Sequence, residues 1–206
     1  LLMTLVYRFG AAGEQDNPPE RVMANGQCFF CDRAVLARAD GYTTARRSFC
    51  DDVTLARHIA AQGAKVGFLD GARVLKVRMY EGAAETWREW GRSLDLKDAA
   101  SPAQVWGDWL FLLAVQGLPL PLSLSLLPAI ARGGVSLPTL LLFSLNLLLV
   151  LIRWGLNLAI APSYDRTQAT TPWLFWLSPL ADPLAVLRIF LSSTRKPKRW
   201  RGRSYE

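Results

Sequence analysis

The sequence predicts an α/β domain, followed by an amphipathic helix and then by transmembrane helices. Two observations carry the β half of that prediction. Arg21 to Cys31 reads as a strand bent at Asn25-Gly26, and Asp70-Gly71 separates two β-prone runs, a strong hairpin signal. A third observation divides the chain. From Trp109 to Ile130 there is no charged residue, and from Gly133 to Ile160 the only one is Arg153. Each run is long enough to cross a hydrocarbon core of roughly 30 Å as a helix.

The elements follow in order. Leu1 to Phe9 is a short apolar stretch, and Gly10 to Pro19 is a loop rich in Gly, Asn and Pro. A short helix over Arg33 to Ala39 ends near Asp40-Gly41. The next helix is the clearest. Ser48 stands where a cap would, with Asp51 three residues on, and Val53, Ala56, Ile59 and Ala60 recur at helical spacing before Gly63 ends the run. The hairpin comprises Lys65 to Leu69 and Arg73 to Tyr80. Gly82 to Asp98 is an amphipathic helix with Ala83, Trp87, Trp90 and Leu94 on one face. Because tryptophan favours the headgroup level, this helix is expected to lie in the bilayer interface. Packing on the domain's own core is the competing reading.

The expected organisation is a first portion over residues 1–81, the interfacial helix and linker over 82–104, a membrane region over 105–194 and a basic tail over 195–206. In the membrane region a first span, about Trp109 to Ile130, is interrupted by Pro119, Pro121 and Pro128. A second, about Leu137 to Ala161, is Leu-rich. A third stretch, Pro172 to Leu191, contains Pro179, Asp182, Pro183 and Arg188 and reads as interfacial or re-entrant, or as a third span that would put the tail outside. The formal charge of +7 is concentrated in the tail, where six of the nine residues from Arg195 to Arg203 are basic. That places the tail, and with two spans the first portion too, in the cytoplasm. The tail is expected to meet anionic lipid rather than nucleic acid. The opening Leu1-Leu2-Met3, with no signal peptide, reads as a fragment.

Asp51 and Asp52 are the best candidates for chemistry. Carboxylates in the first turn of a helix are held ionised by the helix dipole and by free N–H groups, the state a general base needs. Ordinary helix capping explains the same position. Cys28, Cys31, Cys50 and His58 open with the C-x2-C spacing of a zinc site, but residues three apart on a strand face opposite sides, so no metal is assigned to the chain. Arg153 and Asp182 invite pairing, because isolated charges in a membrane are costly. No P-loop, GxGxxG, HExxH or GxSxG pattern occurs, and no Asp-x-Asp.

Four segments carry a resemblance. They are Ala24-Asn25-Gly26-Gln27-Cys28-Phe29-Phe30; Cys50-Asp51-Asp52-Val53-Thr54-Leu55-Ala56-Arg57; Val77-Arg78-Met79-Tyr80 with Trp87-Arg88-Glu89-Trp90; and Trp200-Arg201-Gly202-Arg203-Ser204-Tyr205. Together they resemble the C-terminal half of membrane-bound family 2 glycosyltransferases, and within that family the cyanobacterial carotenoid 2′-O-glycosyltransferases of myxol type. The second segment is similar to the family's Glu-Asp-x-x-Leu-Ala-Arg motif. The resemblance implies the acceptor-side part of a GT-A fold, with Asp52 as catalytic base and Asp51 in place of the preceding Glu. It implies Asn25, Gly26, Gln27 and Trp90 at the acceptor and Arg78 assisting the diphosphate. Thr86 and Glu89 depart from the Gln-x-x-Arg-Trp motif, which counts against polymer synthesis. The implied partners are a nucleotide-sugar donor, a lipid-soluble acceptor such as a carotenoid, and the membrane. A divalent metal, Mg or Mn, is implied for the complete enzyme, with its Asp-x-Asp ligands outside this chain. The competing reading is a non-catalytic membrane anchor or partner subunit, or a glycosyltransferase acting on another lipid.

Overall fold

The computed structural model describes residues 18–48, 50–69, 71, 73–78, 80, 82–93, 99–167, 169–194, 199–200 and 203–204. The apolar stretch Leu1 to Phe9, most of the loop after it, Asp70 of the expected hairpin turn, Leu94 of the Trp-bearing face, and Arg195 to Lys198 and Arg201 of the tail lie outside the described residues. The chain divides into two compact units, Leu1–Trp106 with Ile189–Glu206, and Gly107–Arg188.

The α/β expectation is overturned, and with it the GT-A domain portion. The described residues are predominantly helical. Their only strand pairing beyond an isolated bridge residue at Phe68 is a two-residue antiparallel match of Arg199–Trp200 with Arg203–Ser204. The physical reason is local. Pro18 and Pro19 start a 3-10 turn, Pro19–Arg21, that consumes the head of the expected strand. At Asn25 the side-chain Oδ1 accepts the Gln27 N–H (3.1 Å), and the Asn25 carbonyl accepts the Cys28 N–H (3.1 Å), so a turn replaces the strand. After Gly71, the N–H groups of Val74 and Leu75 both donate to the Gly71 carbonyl (2.9 and 2.8 Å), a coiled turn that cannot open into a hairpin arm. Val74, Leu75 and Val77 are left exposed. β-Prone residues pair only when a third strand or a helix buries their face.

In the first unit α1 is Arg33–Arg38 and α2 is Asp51–Ala61. Asp32 caps α1, its Oδ1 accepting the N–H groups of Ala34 (2.8 Å) and Val35 (3.0 Å). The chain then turns at Asp40 and Gly41, both at positive φ. The N-cap of α2 is Cys50, not Ser48. Ser48 instead accepts the Cys50 N–H (3.2 Å) and the Thr54 hydroxyl (2.9 Å). α2 closes with the Gly63 N–H on Ala60 and the Ala64 N–H on Ile59, the paired bonds of a Schellman motif, and Gly63 supplies the required φ of 85°. Leu55 and Ile59 of α2 pack with Ala39 and Ala45 in the core, flanked by Phe29, Val35 and Leu36. Cys50 and Val53 form a second cluster with Met23 and Ala99. α3 is Ala83–Ser93; its Trp87 is exposed while its Trp90 is 7% exposed.

The membrane region keeps the expected break in its first stretch and the Leu-rich helix of its second. α4, Pro102–Leu112, runs into a π-helical turn, Leu113–Gly117, and then into α5, Pro119–Arg132, with a 40° bend. Pro119 and Pro121 have no N–H to give, and the Leu118 N–H reaches back five residues to Leu113 (2.8 Å). α6, Leu137–Ile160, is straight through 24 residues, about 36 Å at roughly 1.5 Å per residue. The third stretch, for which interfacial, re-entrant and spanning readings were open, is a ten-residue 3-10 helix, Pro172–Ala181, continuing into α7, Asp182–Thr194. Among the described residues two helical segments are therefore long and apolar enough to cross a membrane, Leu137–Ser163 and Pro172–Thr194, or three if the bent pair is one span. On α6, Leu141, Leu145, Leu148 and Leu151 are each more than half exposed, a face that lipid covers and water would not.

The second unit is held by close approach and by polar bonds. A Cβ on Gly117 would sit 3.2 Å from the Val186 side chain, so glycine lets α7 reach the π turn. The indole of Trp109 donates to the Val186 carbonyl (3.3 Å). Pro179 cannot donate to Phe175 as an α-helical residue would, nor to Trp176 as a 3-10 residue would. The Trp176 carbonyl that Pro179 leaves open in the 3-10 helix, and the Phe175 carbonyl beside it, both accept from α6. Asn157 Nδ2 donates to Phe175 (3.3 Å) and Trp154 Nε1 donates to Trp176 (2.9 Å). A neighbouring helix thus repairs the proline break, and the unusually long 3-10 run persists because of it.

Candidate functional site

Asp52 and the Asn25-Gly26-Gln27 turn, 26 residues apart in sequence, meet in the first unit. The Gly26 N–H donates to Asp52 Oδ2 at 2.6 Å. Asp52 Oδ1 accepts the Val53 N–H at 2.9 Å, and Asp51 Oδ1 accepts the Asp52 N–H at 3.0 Å. Asp51 is exposed and Asp52 is half-buried. A Cβ on Gly26 would lie 3.4 Å from Asp52 Oδ2, ordinary contact, so the position needs the N–H more than it needs glycine. Asn25 Nδ2 reaches Gln27 Oε1 at 3.5 Å, which keeps the turn's amides together. A carboxylate has about four lone-pair positions. Each oxygen of Asp52 accepts one backbone N–H, so half of that capacity remains for a third partner.

Tyr42 belongs to this site and was not legible in the sequence. Its phenol is held above its ordinary value of 10.0, first by partial burial and then by the Asp51 and Asp52 carboxylates nearby. Arg57 was also missed as a structural residue. It is buried, its Nε donates to the Val22 carbonyl (3.1 Å) and its Nη1 to the Ala99 carbonyl, so one guanidinium joins α2 to the chain on either side of it. An arginine on a helix face reads as solvated from sequence; only the two distant carbonyls explain its burial.

The remaining predicted residues are placed as follows. Trp90 is buried, with no hydrogen-bond partner for its Nε1 among the described residues, so its ring faces the interior rather than an open groove. Arg78 is exposed on the segment after the Gly71 turn, and the hydrogen bonds accepted by Asp51 and Asp52 come from backbone N–H groups. Cys28 is exposed, Cys31 half-buried and Cys50 buried. Among the described residues no three of His, Cys, Asp and Glu come together as metal ligands.

The second unit holds a buried polar cluster. Arg153 Nε donates to Asp182 Oδ2 (2.6 Å) and Arg153 Nη2 to Asp182 Oδ1 (3.2 Å), while Arg153 Nη1 donates to Asn157 Oδ1 (2.5 Å). Gln116 Nε2 adds a bond to Asp182 Oδ1 (3.0 Å), and Asn157 Nδ2 reaches Ser178 Oγ (2.9 Å). The pairing invited by the two isolated charges is therefore present.

These features define a mainly helical, membrane-associated protein that presents a carboxylate pair at the start of one helix. No family model, no curated protein and no solved structure matches the chain.

Proposed function

We propose that the chain is the acceptor-side, membrane-anchoring part of a glycosyltransferase that moves a sugar from a nucleotide-sugar to the hydroxyl of a lipid-soluble acceptor, a carotenoid in the reading its sequence favours. The supporting observation is the Gly26–Asp52 bond. It joins the two segments that the resemblance assigns to acceptor and base, and it keeps Asp52 oriented with lone pairs to spare. In the reaction Asp52 takes the acceptor hydroxyl proton as that oxygen bonds to the anomeric carbon. The bond from that carbon to the donor phosphate breaks, and the nucleoside diphosphate leaves with the electron pair, inverting the centre.

The multi-pass topology that goes with this reading uses Leu137–Ser163 and Pro172–Thr194 as the two crossings, with the bent pair re-entrant. An even number of crossings keeps Asp52 and the basic tail together in the cytoplasm.

In membranes carrying the complete protein, D52N is expected to lower sugar transfer to extracted lipid by about 10²- to 10⁴-fold with insertion unchanged. Retained turnover would refute the assignment. One observation favours a second reading. Both Asp52 oxygens already hold backbone N–H groups, as a structural latch would. In that reading the chain is a non-catalytic anchor, and D52N costs stability but no transfer.

A further inference from the structure

A cavity of about 550 Å³ opens in the second unit where the chain passes from α6 to the 3-10 helix. Its size falls within the roughly 300–1,000 Å³ of small-ligand clefts. Tyr164, Asp165, Arg166, Thr167, Trp173 and Trp176 line it. It lies on the connection between the two segments long enough to cross a membrane, which end at Ser163 and resume at Pro172, so it sits at the depth of lipid headgroups.

The walls are fixed and charged. The Arg166 guanidinium stacks over the rings of Phe175 (5.2 Å) and Trp176 (5.1 Å), and Tyr164 packs on Phe175 at 5.2 Å. The carbonyls of those same two residues are held by Asn157 and Trp154, which keeps the stack in place. Arg166 makes no ion pair among the described residues. Stacking leaves the edge of a guanidinium, where its N–H groups lie, available to anionic oxygens. Asp165 folds back on Thr167, its Oδ1 accepting the backbone N–H (3.1 Å) and the hydroxyl (2.6 Å). Trp173 is 59% exposed at the mouth, the placement of an interfacial anchor.

We propose that this cavity binds the headgroup of a membrane phospholipid that carries both a phosphate and a primary ammonium. Arg166 takes the phosphate oxygens in a two-pronged contact. The adjoining Asp165 carboxylate opposes a second negative charge and attracts the ammonium, so the cavity selects a zwitterionic headgroup over an anionic one. The aromatic walls meet the glycerol and upper acyl carbons.

The test is native mass spectrometry of the full chain in detergent, titrated with short-chain phosphatidylethanolamine and, separately, phosphatidylglycerol. The wild type is expected to retain phosphatidylethanolamine preferentially. R166Q should weaken that binding at least tenfold, and D165N should shift the preference toward phosphatidylglycerol. Equal binding by wild type and R166Q overturns the proposal, as does displacement of the lipid by equimolar inorganic phosphate, which would mark a site for soluble phosphate. If R166Q does not give folded protein, R166K decides. It keeps the charge but loses the two-pronged donor set, and unchanged binding there overturns the assignment.

Discussion

Replacing Asp182 with Ala tests whether the buried cluster is an ion pair or only a set of hydrogen bonds. Arg153 and Asp182 are 6% and 5% exposed, so the variant strands a guanidinium away from water with Asn157 as its one remaining acceptor in the cluster. Removing one partner of a buried pair costs about 3–5 kcal/mol. Gln116 Nε2 loses its acceptor as well, adding roughly 1 kcal/mol. Together these shift the unfolding equilibrium by about three to four decades at roughly 1.4 kcal/mol per decade. Interhelical hydrogen bonds between membrane helices average only about 0.6 kcal/mol each, about 2 kcal/mol for the three that Asp182 accepts, still below the loss expected of a stranded charge. The companion variant R153M/D182A removes the stranded charge and should recover most of the loss, since apolar replacement of a whole buried pair is often neutral. The assay is reversible unfolding in mixed micelles followed by tryptophan fluorescence. A loss of about 2 kcal/mol or less for D182A, or no recovery in the double variant, would refute the ion-pair account.

Three other outcomes follow from single contacts. Gly26→Pro removes the N–H that Asp52 accepts and is expected to cost about 1.5–3 kcal/mol in the first unit, whereas Gly26→Ala keeps the bond and should be nearly neutral; chemical denaturation of the two side by side checks this. Asn157→Leu leaves the Phe175 carbonyl and Arg153 Nη1 without their partner and is expected to cost about 2–3 kcal/mol, measured in the same micelle assay. Tyr42 should ionise above 10.0, seen as the tyrosinate absorption lost in Y42F, and Asp51→Asn should lower its midpoint. Its folded value is the raised one, so its contribution to stability is fully present below pH 10.0 and lost as pH rises through that higher value; a midpoint unmoved by Asp51→Asn would exclude the electrostatic cause.

What could be read from the sequence followed the range of the interaction. The helices Arg33–Arg38 and Asp51–Ala61 are set by local spacing and by a glycine terminator, and both lie where periodicity predicts. The two long apolar runs, one free of charge and one holding only Arg153, likewise announced apolar helices, and the lone charges Arg153 and Asp182 announced their pairing. Strands depend on partners that no local window contains; Val66 of the first β-prone run packs on the core of the first unit, whereas Val74, Leu75 and Val77 of the second are exposed. The prolines were visible, but their consequence was not. Pro119 ends a π turn and Pro179 sits inside a 3-10 helix, and the second outcome depends on donors 22 and 18 residues away on α6. The third stretch, Pro172 to Leu191, left interfacial and spanning readings both open in the sequence; the structure carries it into a helical segment, Pro172–Thr194, long and apolar enough to cross, with Asp182 paired to Arg153.

The same distance dependence frames Asp52. From position it was a capping acid; from its neighbours it was a base; the Gly26 bond fits both, because holding a carboxylate still is what a latch does and what a base needs. The two roles separate only when charge and bond are removed independently. D52N removes the charge but keeps one oxygen acceptor, while Gly26→Pro keeps the charge and removes the bond. If Asp52 is the base, transfer falls far more in D52N than in Gly26→Pro, even where Gly26→Pro is the less stable protein. If Asp52 is a latch, the two variants rank by stability alone, and transfer tracks the folded fraction in both. A carboxylate that accepts one N–H on each oxygen is committed to neither role until those rankings differ.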